Sequence, residues 1–186
     1  KKFIDMIDSF ENPEIKEAVA VNYHKVLAYK DEYEIARLHL GTYKKVADEF
    51  ENVRRIKFHL APPIFSKENK DGRAKKIEFG SYVIYLFRLL AWLKWLRGTK
   101  FDLFSYFKDR QLERKLIEDY QDDLKFIKTI DFDKRKETIL ELLNIPSSIK
   151  GFGVVKRKNI QVASVHRKNL LIKLKASDEA VNHAAE

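Results

Sequence analysis

Between Asn12 and Gly41, apolar and small residues recur at steps of three and four: Ile15, Val19, Asn22, Val26, Tyr29, Tyr33, Ala36 and Leu40. That spacing draws one stripe along an α-helix and cannot line one face of a strand, so it predicts a helix of about seven turns at roughly 3.6 residues each. Asn12-Pro13-Glu14 supplies its start. Asn is a good cap, Pro at the first helical position misses no hydrogen bond, and Glu faces the positive end of the helix dipole. Gly41 is placed to end the helix, with a short helix following over about Tyr43 to Glu51.

The period then changes. In "RIKFHL", 55–60, Ile56, Phe58 and Leu60 alternate with Arg55, Lys57 and His59, and in "KIEF", 76–79, Ile77 and Phe79 alternate with Lys76 and Glu78. Both read as strands with one buried face, paired as a hairpin over about 54–79. Pro62-Pro63 stops the first, and Asp71-Gly72 in "SKENKDGRAKK" supplies the turn. Helical spacing returns from Gly80 and Ser81 to Leu96, closed at Gly98, with Ser81, Tyr85, Arg88, Trp92 and Trp95 on one side and Arg88 expected between aromatic rings. A charged helix is expected over Ser105–Lys128, with Leu112, Leu116 or Ile117, Tyr120, Leu124 and Ile127 inside and Asp109, Glu113, Asp119 and Asp122 outside. A shorter helix spans Asp133–Leu143, with Asp131 and Asp133 as cap candidates and Pro146 as the break after it. The last helix covers Gly153 to about Lys175, before a frayed tail at about 176–186. The fold class is therefore mainly α: a multi-helix bundle with one small antiparallel β-hairpin, as a single domain over residues 1–186.

Several function classes drop out. The chain has no cysteine, so it can hold no disulfide, no thiolate zinc site, no cysteine-ligated iron–sulfur cluster and no thiol nucleophile. "SYVIYLFRLLAWLKWL", 81–96, is too short for a membrane span and carries Arg88 and Lys94, so it reads as a core helix. The chain opens on Lys1-Lys2 with no charged and apolar leader pattern after it, which fits a piece of a longer polypeptide or a chain trimmed of a tag and, without cysteine, a reducing cytoplasm.

Few residues suggest a reaction centre. Asp31, Glu32 and Glu34 crowd among Tyr29, Tyr33 and Ile35, but Lys30 and Arg37 flank Glu34 at salt-bridge spacing. A carboxylate-bridged metal site would want Glu-x-x-His elements, and none of the five histidines has a Glu three residues before it. His59, on the polar side of its strand, is a candidate general base, and Asp31, Glu34, His59 and Arg88 could form a catalytic cleft only by converging in space. No nucleophile elbow, Walker loop or dinucleotide fingerprint is present.

The charge is more informative. Lys and Arg outnumber Asp and Glu by 37 to 28, and from Ser147 to Ser177 there are eight basic residues and no acid. Such a stretch attracts an anionic partner: phosphate, nucleic acid or an acidic protein. Within it, "IKGFGVVKRK" offers an anion-binding or docking candidate, with Gly151 and Gly153 presenting backbone N–H groups and Lys156, Arg157 and Lys158 one turn on. A basic nucleic-acid-binding helical module is the alternative reading, although Phe152 is the one aromatic in the stretch available for stacking on bases.

"LAYKDEYEIARL", "FHLAPP", "IEFG", "LRGTKFDLFSYFKDRQLERKLIEDY" and "IKGFGVVKRKN" together, in order and spacing, resemble the helical C-terminal region of the fused indolepyruvate ferredoxin oxidoreductases, in the 2-oxoacid ferredoxin oxidoreductase family. The likeness runs from about Glu14 to about Leu174. It implies a cytoplasmic parent enzyme that decarboxylates aryl 2-oxo acids with thiamine diphosphate, coenzyme A and iron–sulfur clusters, and passes electrons to ferredoxin. In that setting this segment would be an accessory domain with no catalytic residue and no cofactor of its own. Its partners would be other domains or subunits of the parent, with ferredoxin or the coenzyme A phosphates suiting the basic helix, and no membrane. One departure is Ser105, where family members often show glycine.

Overall fold

In the computed structural model, residues 1–61 and 75–183 are described, with side chains described up to Ala176 in the last helix. Pro62-Pro63, the Asp71-Gly72 turn and residues 184–186 lie outside them. Helices α1 (Lys2–Asp8), α2 (Pro13–Leu27) and α3 (Glu32–Glu49) come first, followed by strands β1 (Phe58–Leu60) and β2 (Ile77–Phe79). Helices α4 (Val83–Trp92), α5 (Lys108–Ile127), α6 (Lys136–Ser148) and α7 (Gly153–His183) complete the order, with short 3₁₀ turns at Leu93–Leu96 and Leu103–Tyr106. The chain is mainly α with one antiparallel strand pair, in the register Phe58 to Phe79, His59 to Glu78 and Leu60 to Ile77. No helix among the described residues is long and apolar enough to cross a membrane.

The chain forms two compact units: Lys1–Tyr29 with Leu112 onward, and Lys30–Gln111. The division falls inside α5.

In the first unit, α2 packs on α6 and α6 on α7. Val19, Leu124, Ile139, Leu142 and Leu143 are fully enclosed. Asn22 sits among them on α2's inner stripe and is satisfied by α6: its Nδ2 donates to Asn144 Oδ1 at 2.9 Å, and Ser147 Oγ donates to its Oδ1 at 2.7 Å. A buried amide with partners costs little. In the second unit, Ala36 of α3, Phe58 of β1 and Val83, Ile84 and Phe87 of α4 form a separate core, with Leu40, Leu60 and Phe79 around it.

Several expected boundaries move. The stripe from Ile15 to Leu40 is two helices, not one, because Asp31 adopts extended backbone and caps α3, accepting the Glu34 N–H at 2.8 Å. Ile15, Val19, Asn22 and Val26 face the first core, and Ala36 faces the second. A shared helical period therefore concealed a break between helices that serve different cores. Gly41 does not end α3, which runs on to Glu49. An exposed mid-helix glycine costs only about 1 kcal/mol relative to alanine, which a packed helix absorbs. Pro146 lies in the last turn of α6 rather than after it. There its missing N–H forfeits one late hydrogen bond. α6 starts at Lys136, and Asp131 closes the preceding turn by accepting the Asp133 N–H at 3.1 Å. α7 continues past Lys175 to His183, through a sequence with neither Gly nor Pro to stop it.

α4 also departs from the expected core helix. It buries Val83, Ile84 and Phe87, while Tyr82, Tyr85, Leu86, Leu89 and Trp92 are exposed. A helix apolar on every side has no period to say which face is inside. Arg88 is on the exposed side, its guanidinium 5.8 Å from the centroid of one ring, Tyr85.

Candidate functional site

The acidic start of α3 and the loop leading into α5, more than sixty residues apart in sequence, meet in the second unit. Asp31 is almost wholly buried, and besides capping α3 its Oδ2 lies 2.6 Å from Arg97 Nε. Glu32 faces Arg110, whose Nε and Nη2 donate to Oε1 at 3.4 and 3.3 Å. Glu32 Oε2 is buried and accepts no hydrogen bond, with Arg110 Nε 3.2 Å away. Burial pushes the Glu32 carboxyl above its ordinary value, and Arg110 offsets only part of that.

Tyr33 donates its hydroxyl to Asp102 Oδ1 at 3.2 Å, and Asp102 Oδ2 accepts the Gly98 N–H at 3.0 Å. Gly98 can offer that group because it holds φ at +78°, a conformation that side chains disfavour. Desolvation, and then the Asp102 charge, push the Tyr33 phenol up to about 12. Glu34 accepts from Arg37 at 2.6 to 3.1 Å and from Lys94 at 3.4 Å, and the Arg37 hydrogen bonds foremost hold its carboxyl down at about 2. Ser105 donates its hydroxyl to the Asp102 carbonyl at 2.6 Å and closes the turn through its side chain.

Chemically, this is an arrangement of matched charges. Asp31 and Glu34 lie together at the start of α3, but His59 is exposed on β1 opposite Glu78, and Arg88 is on the outer face of α4. Among the described residues no hydrogen bond or ion pair joins His59 or Arg88 to either carboxylate. No three His, Asp or Glu side chains among the described residues gather as a metal ion would need.

The basic stretch lies in the first unit. Gly151 and Gly153 both hold positive φ, +92° and +55°, and a Cβ on Gly151 would meet Val155 Cγ1 at 2.8 Å. Only glycine fits there, so the tight turn at the start of α7 follows from sequence. Lys25 reaches the same turn, donating to the Ser147 carbonyl at 3.0 Å. Desolvation, then Lys150 and Lys156, hold its ammonium below the ordinary value. Lys156, however, is engaged by Glu113 at 2.5 Å, while Arg157 is half-buried and Lys158 exposed.

Glu113, expected outside, is therefore buried as a partner of α7. Further along, Arg167 Nε and Nη2 donate to both oxygens of Asp123 at 2.7 to 3.0 Å, and Nη2 also reaches the Asp119 carbonyl. Burial raises the Asp123 carboxyl despite this fork. Sequence reading passed over Asp123. Its signal was the match between Glu113 and Asp123 on α5 and Lys156 and Arg167 on α7, each pair about three helical turns apart. Between these helices and α6 lies a cavity of about 350 Å³, walled by Leu116, Tyr120, Leu142 and Ile160, with Asp119 and Arg167 at its polar side.

A family model described as a family of unknown function (DUF6537) matches residues 1–169. No curated protein and no solved structure matches the chain.

Proposed function

The chain belongs to DUF6537, a family of unknown function, and on the resemblance of its sequence motifs we propose that it is an accessory helical domain of an indolepyruvate ferredoxin oxidoreductase, bracing catalytic domains or subunits rather than performing chemistry. The observation that carries this reading is the pairing in the second unit. The stretches 27–38 and 96–120 resemble that enzyme's C-terminal region, and their charged and polar residues are matched with one another: Asp31 with Arg97, Glu32 with Arg110, Tyr33 with Asp102. Groups engaged in this way hold a fold. For Asp31 or Glu32 to carry a proton in catalysis, it would have to give up its ion pair with Arg97 or Arg110, which is costly for an enclosed carboxylate.

The parent's cofactors do not fit this chain's side chains. Iron–sulfur clusters need thiolates, and the chain has no cysteine. No stretch matches a thiamine diphosphate motif, so decarboxylation and electron transfer to ferredoxin fall to other segments. A cytoplasmic location accompanies the same reading. The nucleic-acid alternative has less support, because Lys156 and Arg167 are neutralised by Glu113 and Asp123 instead of facing outward.

The test is removal. Deleting this segment from the parent enzyme should impair subunit assembly or indolepyruvate-dependent reduction of ferredoxin. A truncated enzyme that assembles and turns over as the intact one does overturns the proposal.

A further inference from the structure

The outer face of α4 is more apolar than a solvated surface. Tyr82, Tyr85, Leu86, Leu89 and Trp92 follow one another at helical spacing, and Trp95 on the next turn packs edge-to-face with Trp92, ring centroids 6.4 Å apart. The four aromatic residues are 67, 72, 68 and 65% exposed. At about 150–250 Å² for each such side chain, they alone present roughly 500 Å². The largest apolar patch of an ordinary monomer is about 300–600 Å². The two leucines bring this one towards the roughly 800 Å² that one partner contributes to a standard protein interface.

The charges narrow the occupant. From Gly80 to Phe101 the chain carries Arg88, Lys94, Arg97 and Lys100 and no Asp or Glu. Lys94 and Arg97 are held by Glu34 and Asp31. Among the described residues, Arg88 has only the Tyr85 ring and exposed Lys100 pairs with no acid. A second copy suits this face poorly, since two-fold pairing would set these cations against one another with no acid in the segment to answer them. A lipid surface suits it poorly too. Recognition of anionic lipid calls for about four to eight clustered cations, and the side of α4 that would carry a polar face is buried at Val83, Ile84 and Phe87.

The geometry points to a docking surface for another protein domain, apolar at its centre and bearing carboxylates placed for Arg88 and Lys100. Identifying that domain as part of the same oxidoreductase rests on the function proposed above. The surface itself does not.

Hydroxyl-radical footprinting tests it by comparing this chain alone with the full-length parent polypeptide that the proposed function places it in. Oxidation of Tyr85, Trp92 and Trp95 should slow about fivefold or more in the full-length protein, because an interface core is as enclosed as a protein interior. Arg88→Glu in the full-length protein should restore much of the oxidation while leaving this chain's circular dichroism unchanged. Equal oxidation in both forms overturns the inference, as does protection in the isolated chain with a dimer by sedimentation, or binding to phosphatidylserine vesicles. Loss of protection bears on the surface alone, whereas full activity of the deletion enzyme bears on the accessory role alone.

Discussion

At the scale of single residues, the pair Asp123 and Arg167 shows how a charge can be buried without being free. Asp123 is almost wholly enclosed, and both its oxygens accept from Arg167, whose side chain keeps about a quarter of its surface exposed. Removing one partner of such a pair strands the other, at about 3–5 kcal/mol when both are enclosed. Arg167 can turn partly to water and to Asp119, so Asp123→Ala should cost less, about 2–3 kcal/mol. Replacing both, as Asp123→Leu with Arg167→Met, should return stability to within about 1 kcal/mol of the original. Urea unfolding followed by circular dichroism measures both variants, and a double variant as weak as the single one would refute this account of the pair.

Among the elements, the start of α3 is held by one side chain with two duties. Asp31 accepts the Glu34 N–H as the cap of α3 and pairs with Arg97. Asparagine keeps the cap and loses the charge, whereas alanine loses both. A cap is worth about 1 kcal/mol, so in thermal unfolding Asp31→Ala should be the more destabilised variant by about that amount, with Asp31→Asn between it and the original protein. Equal melting of the two variants would mean that the cap contributes nothing. The break itself could be read only by weighing Asp31 as a cap against the stripe that runs through it. Asn12 was legible because Pro13 follows it; Asp31 has no such marker, and Tyr29 and Tyr33 continue the period across the gap.

For the whole molecule, the two cores are the central fact. Leu124 is fully enclosed in the first unit, and a leucine-to-alanine change at such a site costs about 2–5 kcal/mol. Hydrogen exchange on Leu124→Ala should show faster exchange in α2, α6 and α7 as far as Leu174, with amides of α3 and α4 keeping their protection, because those helices surround the other core. Uniform loss of protection would show that the chain opens as one body.

Local chemistry was enough to establish the mainly helical class, the strand pair and the inner face of β1, the start of α2, the glycine turn before α7 and the absence of any cysteine-held cofactor, whereas Ile77, expected on the buried face of β2, is exposed. Each depends on spacing or residue type within a few neighbours. Which helices share a core, that Glu113 and Asp123 are buried as partners of α7, and that the aromatic side of α4 faces water were decided by tertiary structure. Those outcomes depend on contacts between residues far apart in the chain, and a helix apolar on all sides, or an acid at a helical position open to either reading, carries no local mark of what it will meet.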